Sequence, residues 1–171
     1  MGTTHITNIK QLILLSGALL FIAGCNKSSH WSTNHVKTGS SAFDSSELCY
    51  RTSDPANGLD LAMIRTKDTL RFYLAVRSRS IPPYQNNPKQ ALVEILIDNN
   101  KYIFIAARHE GGQRLLLPEE CQQLVLDSLK NNLSVTFQLS GYQAFIEPSD
   151  FETQFKKLNV PPLAIPFQLP F

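Results

Sequence analysis

The order of hydrophobic and polar positions divides the chain into four segments. An uncharged apolar run ends at residue 24, and the segment after it is rich in Ser, contains Thr, Asn, Gly, His and Lys, and has few apolar residues. Short apolar runs then alternate with turn-forming residues, and the last residues combine proline with regularly spaced apolar side chains. The pattern predicts a signal peptide (1–24), a flexible tether (25–47), a β-rich globular domain (48–158) and an extended tail (159–171).

Short apolar runs in the domain predict β-strands. Leu59–Arg65 and residues 70–77 are rich in apolar and aromatic side chains and are separated by a turn-forming Thr-Lys-Asp-Thr segment. Residues 91–98 and 101–107 flank Asn99-Asn100, and asparagine tolerates the positive φ that a two-residue hairpin turn requires. These two strands are apolar on both faces apart from one glutamate, which predicts a central position in the sheet.

The second half of the domain predicts a strand between two short helices. Pro118 and the acidic residues after it suit a helix start, and apolar positions recur at helical spacing until residues 130–132. Residues 133–140 alternate with period two, and Phe151–Leu158 places its apolar side chains on one helical face. The expected fold is mainly β with two short helices, as an antiparallel β-sandwich or a curved sheet. An α+β fold is the second choice.

The N-terminal apolar run ends in a motif that resembles the lipobox of bacterial lipoproteins. After the single cation Lys10, the run closes with Ile22-Ala23-Gly24-Cys25, which is a branched apolar residue and two small residues before cysteine. The run suits a signal peptide and is short for a membrane span, which needs about 20 residues. The resemblance implies that residues 1–24 are removed and that the Cys25 thiol carries a lipid.

A lipidated Cys25 predicts a location in the bacterial cell envelope. Asn26 follows it where aspartate favours inner-membrane retention in enteric bacteria, so we expect an outer-membrane anchor, with the domain facing the periplasm or the cell surface. Without residues 1–24 the chain has the length of one domain. Loss of Lys10 leaves 15 Lys and Arg against 14 Asp and Glu, and this balance speaks against a nucleic-acid partner.

Three cysteines are consistent with an oxidising compartment. If Cys25 is lipidated, Cys49 and Cys121 remain as one possible pair, and a disulfide between them is the first interpretation. Two buried free thiols are the alternative. No metal or other cofactor is predicted from the sequence.

Four stretches of the domain carry a resemblance to a known family. They are Ile97-Asp98, the helix at residues 121–132, Val135-Thr136-Phe137 and Leu139-Ser140-Gly141-Tyr142. Over about residues 48–158 the chain is similar to the invasion-associated locus B family of secreted bacterial proteins. The resemblance implies a β-sandwich with peripheral helices and a host- or envelope-associated binding role.

The C-terminal tail has a regular apolar pattern. Its apolar residues occupy every second position and would share one face of an extended chain: Leu163, Ile165, Phe167, Leu169 and Phe171. Prolines between them would remove N–H donors from one edge only. Two interpretations stay open: the tail completes its own domain, as an edge strand or laid over its core, or it binds a partner by adding to that partner's sheet edge.

Catalysis has one candidate in the domain, His109 beside Glu110, as a base and its orienting group. The sequence contains no phosphate-binding glycine loop, paired-cysteine metal motif or Gly-x-Ser-x-Gly elbow. It therefore predicts a non-enzymatic, lipid-anchored binding or accessory protein of an envelope assembly or a host-contact surface, with a protein partner. The alternatives are a periplasmic hydrolase or enzyme inhibitor that uses the His109 loop, and an immunity or exclusion lipoprotein.

Overall fold

The computed structural model describes residues 30–38, 44–54 and 57–158. In these ranges the chain forms nine strands in one antiparallel sheet, in the order β1-β2-β3-β4-β7-β6-β5-β8-β9, and two helices. The mainly β fold with two short helices is confirmed. The elements are β1 (Trp31–Val36), β2 (Ser45–Tyr50), β3 (Leu59–Arg65), β4 (Leu70–Val76), β5 (Gln90–Ile97), β6 (Asn100–Arg108), β7 (Arg114–Leu116), α1 (Glu119–Lys130), β8 (Val135–Leu139), β9 (Tyr142–Ile146) and α2 (Phe151–Leu158).

One face of the sheet, called here the inner face, carries the core together with the two helices. In β5, Ala91, Val93, Ile95 and Ile97 are buried, whereas the residues between them are half-buried. Since side chains alternate across a strand, every second residue of β5 enters the core. The other residues point to the opposite face, called here the outer face.

The hairpin of β5 and β6 forms as the sequence predicts, and both strands are central in the sheet. Its turn is Asp98-Asn99, one residue earlier than predicted, with φ angles of 47° and 66°. Ile97 pairs with Asn100, which leaves a two-residue loop. Two consecutive positive φ angles are typical of a type I′ turn, and Asp and Asn tolerate them better than other side chains do.

Both helices form where the sequence predicts them. α1 follows Pro118 and buries Cys121, Val125 and Leu129 in the core. α2 has the predicted bounds and buries Phe151 and Leu158 at its two ends. In each helix one stripe of apolar side chains faces the sheet, which is the arrangement that the spacing of these residues requires.

The flexible tether is wrong for residues 31–36 and 45–47. These residues belong to β1 and β2, which pair with each other along their whole length. Trp31 is only 2% exposed, and its indole ring packs against the rings of Tyr50 and Phe151 at centroid distances of 4.9 and 5.0 Å. Residues far along the chain thus bury Trp31, and this burial stabilises β1 although its own sequence is mostly polar.

The sheet curves so that its first strand meets the segment after its last strand. Trp31 Nε1 donates a hydrogen bond of 2.9 Å to the carbonyl oxygen of Glu147, which directly follows β9. α2 then lies beside β1, where Thr33 Oγ1 donates to the carbonyl oxygen of Gln154 at 3.3 Å. Of the two arrangements expected from the sequence, the single curved sheet is the one that forms.

Several sequence predictions concern residues outside the described ranges. These are the signal peptide, the lipid attachment site and the apolar tail residues: Cys25, Leu163, Ile165, Phe167, Leu169 and Phe171. They stay predictions. Among the described residues, no helix is both long and apolar enough to cross a membrane.

Candidate functional site

Apolar side chains lie on the outer face of β6, β5 and β9, and the polar residues Thr136 and Gln138 of β8 lie between β5 and β9. This apolar outer face consists of Leu92, Leu96, Ile103, Ile105 and Phe145. Ile105 lies opposite Leu92, while Leu96 and Phe145 both lie opposite Thr136 of β8. The exposed fractions are 58% for Ile103, 47% for Ile105 and 54% for Phe145. An apolar surface of this kind is suited to binding another apolar surface.

An ion pair sits within the apolar outer face. Glu94 lies between Ile103 and Gln138 in the sheet register, and Lys101 Nζ is 2.8 Å from Glu94 Oε2. Both side chains are partly exposed, so the pair contributes little to the stability of the fold. Its effect is to leave this surface without net charge, with apolar side chains around a neutral polar centre.

Two clefts of about 410 Å³ each indent this surface. One lies beside the β8–β9 turn, where Ser140 and Gly141 have φ angles of 34° and 91°, and Leu92 forms part of its wall. The other lies beside the β5–β6 turn and is lined in part by Leu133 and Phe145. Either cleft offers an apolar wall and polar groups to an inserted side chain.

A separate, polar cleft of about 570 Å³ lies on the outer face of β2, β3, β4 and β7. This arginine cleft is lined by small residues and by charged ones: Cys49, Ala62, Ala75, Glu47, Arg51, Asp60, Arg77 and Arg114. Arg77 donates to both oxygens of Asp60, from Nε at 3.0 Å and from Nη2 at 2.7 Å. These hydrogen bonds raise the pKa of Arg77 and occupy the Asp60 carboxylate.

Cys49 and Cys121 are free thiols, so the predicted disulfide is wrong and the alternative of two buried thiols holds. Cys49 belongs to the arginine cleft on the outer face, whereas Cys121 belongs to the core on the inner side. The sheet therefore separates two sulfur atoms that would have to approach within about 2 Å to bond. Burial raises the pKa of both thiols, and that of Cys121 reaches about 12.

His109 lies between β6 and β7, and both it and Glu110 are exposed. The His109 ring meets the edge of the Tyr73 ring, with 5.8 Å between centroids. None of the three clefts described above includes His109. Within the described ranges, no group of three His, Cys, Asp or Glu residues could hold a metal ion. The catalytic alternative stays a prediction.

The sequence pattern located β3, β4, β5, β6 and β8 but indicated neither of these two surfaces. The signal for the apolar outer face was present, because β5 and β6 carry apolar residues on both faces. A strand with apolar residues on both faces is either buried on both faces or exposes one apolar face to solvent. The sequence pattern alone does not distinguish these two cases. The arginine cleft left no local signal, since Arg51, Arg77 and Arg114 are far apart in the chain and only the strand order joins them.

Comparisons with family models, with curated proteins and with solved structures found no match to this chain. The resemblances to the lipobox and to the invasion-associated locus B family therefore stay predictions from the sequence. The function of the two surfaces is therefore inferred from their exposed side chains and charges.

Proposed function

We propose that this chain is a non-catalytic binding protein, held at a bacterial envelope membrane by a lipid on Cys25, that contacts a protein partner through its apolar outer face. The observation that carries the proposal is the exposure of Ile103, Ile105 and Phe145 on one face of four neighbouring strands. Single exposed apolar residues are ordinary, but several of them on the same face of a rigid sheet favour an interaction surface.

The apolar outer face has enough exposed area to matter for affinity. Complete burial of an isoleucine or phenylalanine side chain is worth about 1.5–3 kcal/mol. Ile103, Ile105 and Phe145 are each about half exposed, so their burial under a partner would contribute about 1 kcal/mol apiece. The sum of about 3 kcal/mol corresponds to a change in Kd of roughly 100-fold.

The predicted anchor and tail fit the same role. A lipid on Cys25 would hold the domain at the membrane on which an envelope assembly is built. The alternating tail residues supply a second apolar contact of a different kind, because an extended segment binds through its backbone edge as well as its side chains. That second contact consists of Leu163, Ile165, Phe167, Leu169 and Phe171.

The test is crosslinking in intact cells followed by purification of the protein and identification of what is bound to it. Ile103→Ser should weaken recovery of the partner about fivefold, and the double variant with Ile105→Ser about 30-fold. Val36→Ser is the matched control, because Val36 is 53% exposed but lies on β1. Circular dichroism should show that all three variants fold as the wild type does.

The outcomes separate the two proposed contacts. Deletion of residues 163–171 tests the proposed tail contact, and loss of the folded domain in that deletion would instead show that the tail completes its own domain. Unchanged recovery with the Ile103→Ser and Ile105→Ser double variant would exclude the apolar outer face as the contact. Equal loss with Val36→Ser would indicate nonspecific adhesion rather than a defined interface.

A further inference from the structure

The arginine cleft is a second surface, and the proposed partner contact does not include it. Arg51, Arg77 and Arg114 line one end of this cleft together with Asp60, and Asp54 lies beside Arg77, so these five side chains carry a net charge of +1. The other carboxylate of the cleft, Glu47, lies four residues before Arg51 along β2, which is a distance of about 13 Å. This end of the cleft is therefore positively charged and suits an anion.

The register of the sheet brings these residues into one row. Asp60 pairs with Ala75, and Ala75 pairs with Arg114, across β3, β4 and β7. Arg51 directly follows β2 and extends the row on the other side of Asp60. Neighbouring strands lie about 4.8 Å apart, so the backbones of Arg51 and Arg114 are about 14 Å apart. The small Ala75 side chain leaves room between them for a ligand.

Arg114 is fixed in place without a charged partner. Its guanidinium carbon lies over the Tyr73 ring, 4.0 Å from the ring centre, and this cation–π contact holds the group beside the ring. Its Nε is buried and has no hydrogen-bond partner within the described part of the chain. The ion pairs found there do not include it. Because Nε is closed to solvent, the groups that this guanidinium can offer to the oxygen atoms of a phosphate are its two terminal Nη groups.

The predicted anchor would bring the arginine cleft close to the lipid headgroups. Cys25 and His30 are five residues apart, so their α-carbons can be separated by no more than about 18 Å. The carbonyl oxygen of His30 accepts a hydrogen bond of 3.0 Å from the Arg51 N–H, which places His30 at the arginine end of the sheet. A lipid on Cys25 would therefore hold this end of the domain near the membrane surface.

We propose that the arginine cleft binds the phosphate group of a membrane lipid and thereby orients the domain on the membrane. The inference rests on the lipid anchor of the proposed function, because the anchor is what brings headgroups within reach of Arg51 and Arg114. A basic site adds to the affinity that a lipid anchor provides and limits how the anchored domain rotates. A soluble phosphate has the same chemistry and is the competing source of the ligand.

The test is calorimetric titration of the detergent-solubilised full chain with two soluble probes. One probe is inorganic phosphate, and the other is glycerophosphoglycerol, the water-soluble headgroup of phosphatidylglycerol. We expect saturable binding of glycerophosphoglycerol that Arg114→Gln and Arg51→Gln each weaken about tenfold. Arg51 is exposed, so its substitution tests the site even if Arg114→Gln impairs folding. Arg71→Gln is the matched control, because Arg71 is exposed on β4 outside the cleft.

Each alternative result has a distinct meaning. Binding of inorganic phosphate alone would overturn the lipid assignment, and absence of saturable binding of either probe would overturn the site. An equal loss in Arg71→Gln would show that net charge rather than the cleft binds the anion. Neither probe needs a partner, so Ile103→Ser should bind glycerophosphoglycerol as the wild type does. A failure of partner recovery is thereby distinguished from a failure of headgroup binding.

Discussion

Replacing Trp31 with alanine should lower the free energy of unfolding by about 3–5 kcal/mol, the range for deleting a large buried aromatic side chain. Trp31 is 2% exposed, and its ring lies against Tyr50 and Phe151 at 4.9 and 5.0 Å. The substitution removes these contacts and leaves a cavity between β1 and α2. A domain of this size is stable by about 5–15 kcal/mol, so the loss is a large fraction of the total.

Part of this effect belongs to one hydrogen bond. Trp31 Nε1 donates to the Glu147 carbonyl oxygen at 2.9 Å and joins the first strand to the end of the last. Trp31→Phe keeps an aromatic ring but removes this donor, so we expect a loss of about 1–3 kcal/mol. Trp31→Phe also removes part of the indole, so its loss is an upper bound on the hydrogen bond, and the further loss in Trp31→Ala measures the packing of the remaining ring.

Urea denaturation of the detergent-solubilised chain, followed by circular dichroism, measures these differences. Trp31 is the only tryptophan in the chain, so its fluorescence in the wild type reports directly on its own burial. Ser32→Ala is the control, because Ser32 is the exposed neighbour on β1, and it should change the stability by less than about 0.5 kcal/mol. A Trp31→Ala protein as stable as that control would refute the packing of β1 and restore the flexible tether.

Three further predictions concern the cysteines. Cys25→Ala should release the protein from membranes in a fractionation assay, and persistent attachment would contradict the lipid anchor. Reductant should leave the Tm of the wild type and of Cys49→Ser unchanged, whereas a Tm lowered by reductant in the wild type alone would reveal a disulfide. The pKa of Cys121 rises from 9.0 to about 12 on burial, so above about pH 9 the unfolded chain loses a proton that the folded chain keeps. The stability of the wild type should then fall relative to Cys121→Ala by up to about 1.4 kcal/mol per pH unit. Equal pH slopes in urea denaturation would refute this.

Elements with strong local signals were predicted closely. β3 and α2 have the bounds that the sequence indicates, and the β5–β6 turn is displaced by a single residue. The local sequence of each element is enough to predict it. β3 is an apolar run between turn residues, α2 has an amphipathic stripe, and the turn has Asp and Asn where φ must be positive. The mainly β class followed from the same local patterns.

Features that depend on distant contacts were not predictable in the same way. β1 contains few apolar residues, and it is held in the sheet by Trp31, whose partners lie in β2, α2 and the segment after β9. Cys49 and Cys121 can bond only if both lie on the same side of the sheet. The side on which Cys49 lies depends on the register of β2, and the side on which Cys121 lies depends on where α1 packs. Composition therefore predicted a flexible tether where the curvature of the sheet allows β1 to form. It also predicted a disulfide between two thiols that the sheet keeps apart.

The apolar outer face and the arginine cleft share one continuous sheet, and their relation can be tested by combining substitutions. Arg108 pairs with Leu115, so Arg114 lies opposite His109, six residues along β6 from Ile103. That spacing is about 20 Å, and sites so far apart without shared contacts have additive effects. The double variant Ile103→Ser with Arg114→Gln should therefore lose partner recovery as Ile103→Ser does and headgroup binding as Arg114→Gln does.

If Arg114→Gln alone reduced partner recovery in cells, the partner would reach across both surfaces, or membrane orientation would be a condition for its binding. Repeating the partner assay in detergent separates these two, because only the first would persist without a membrane.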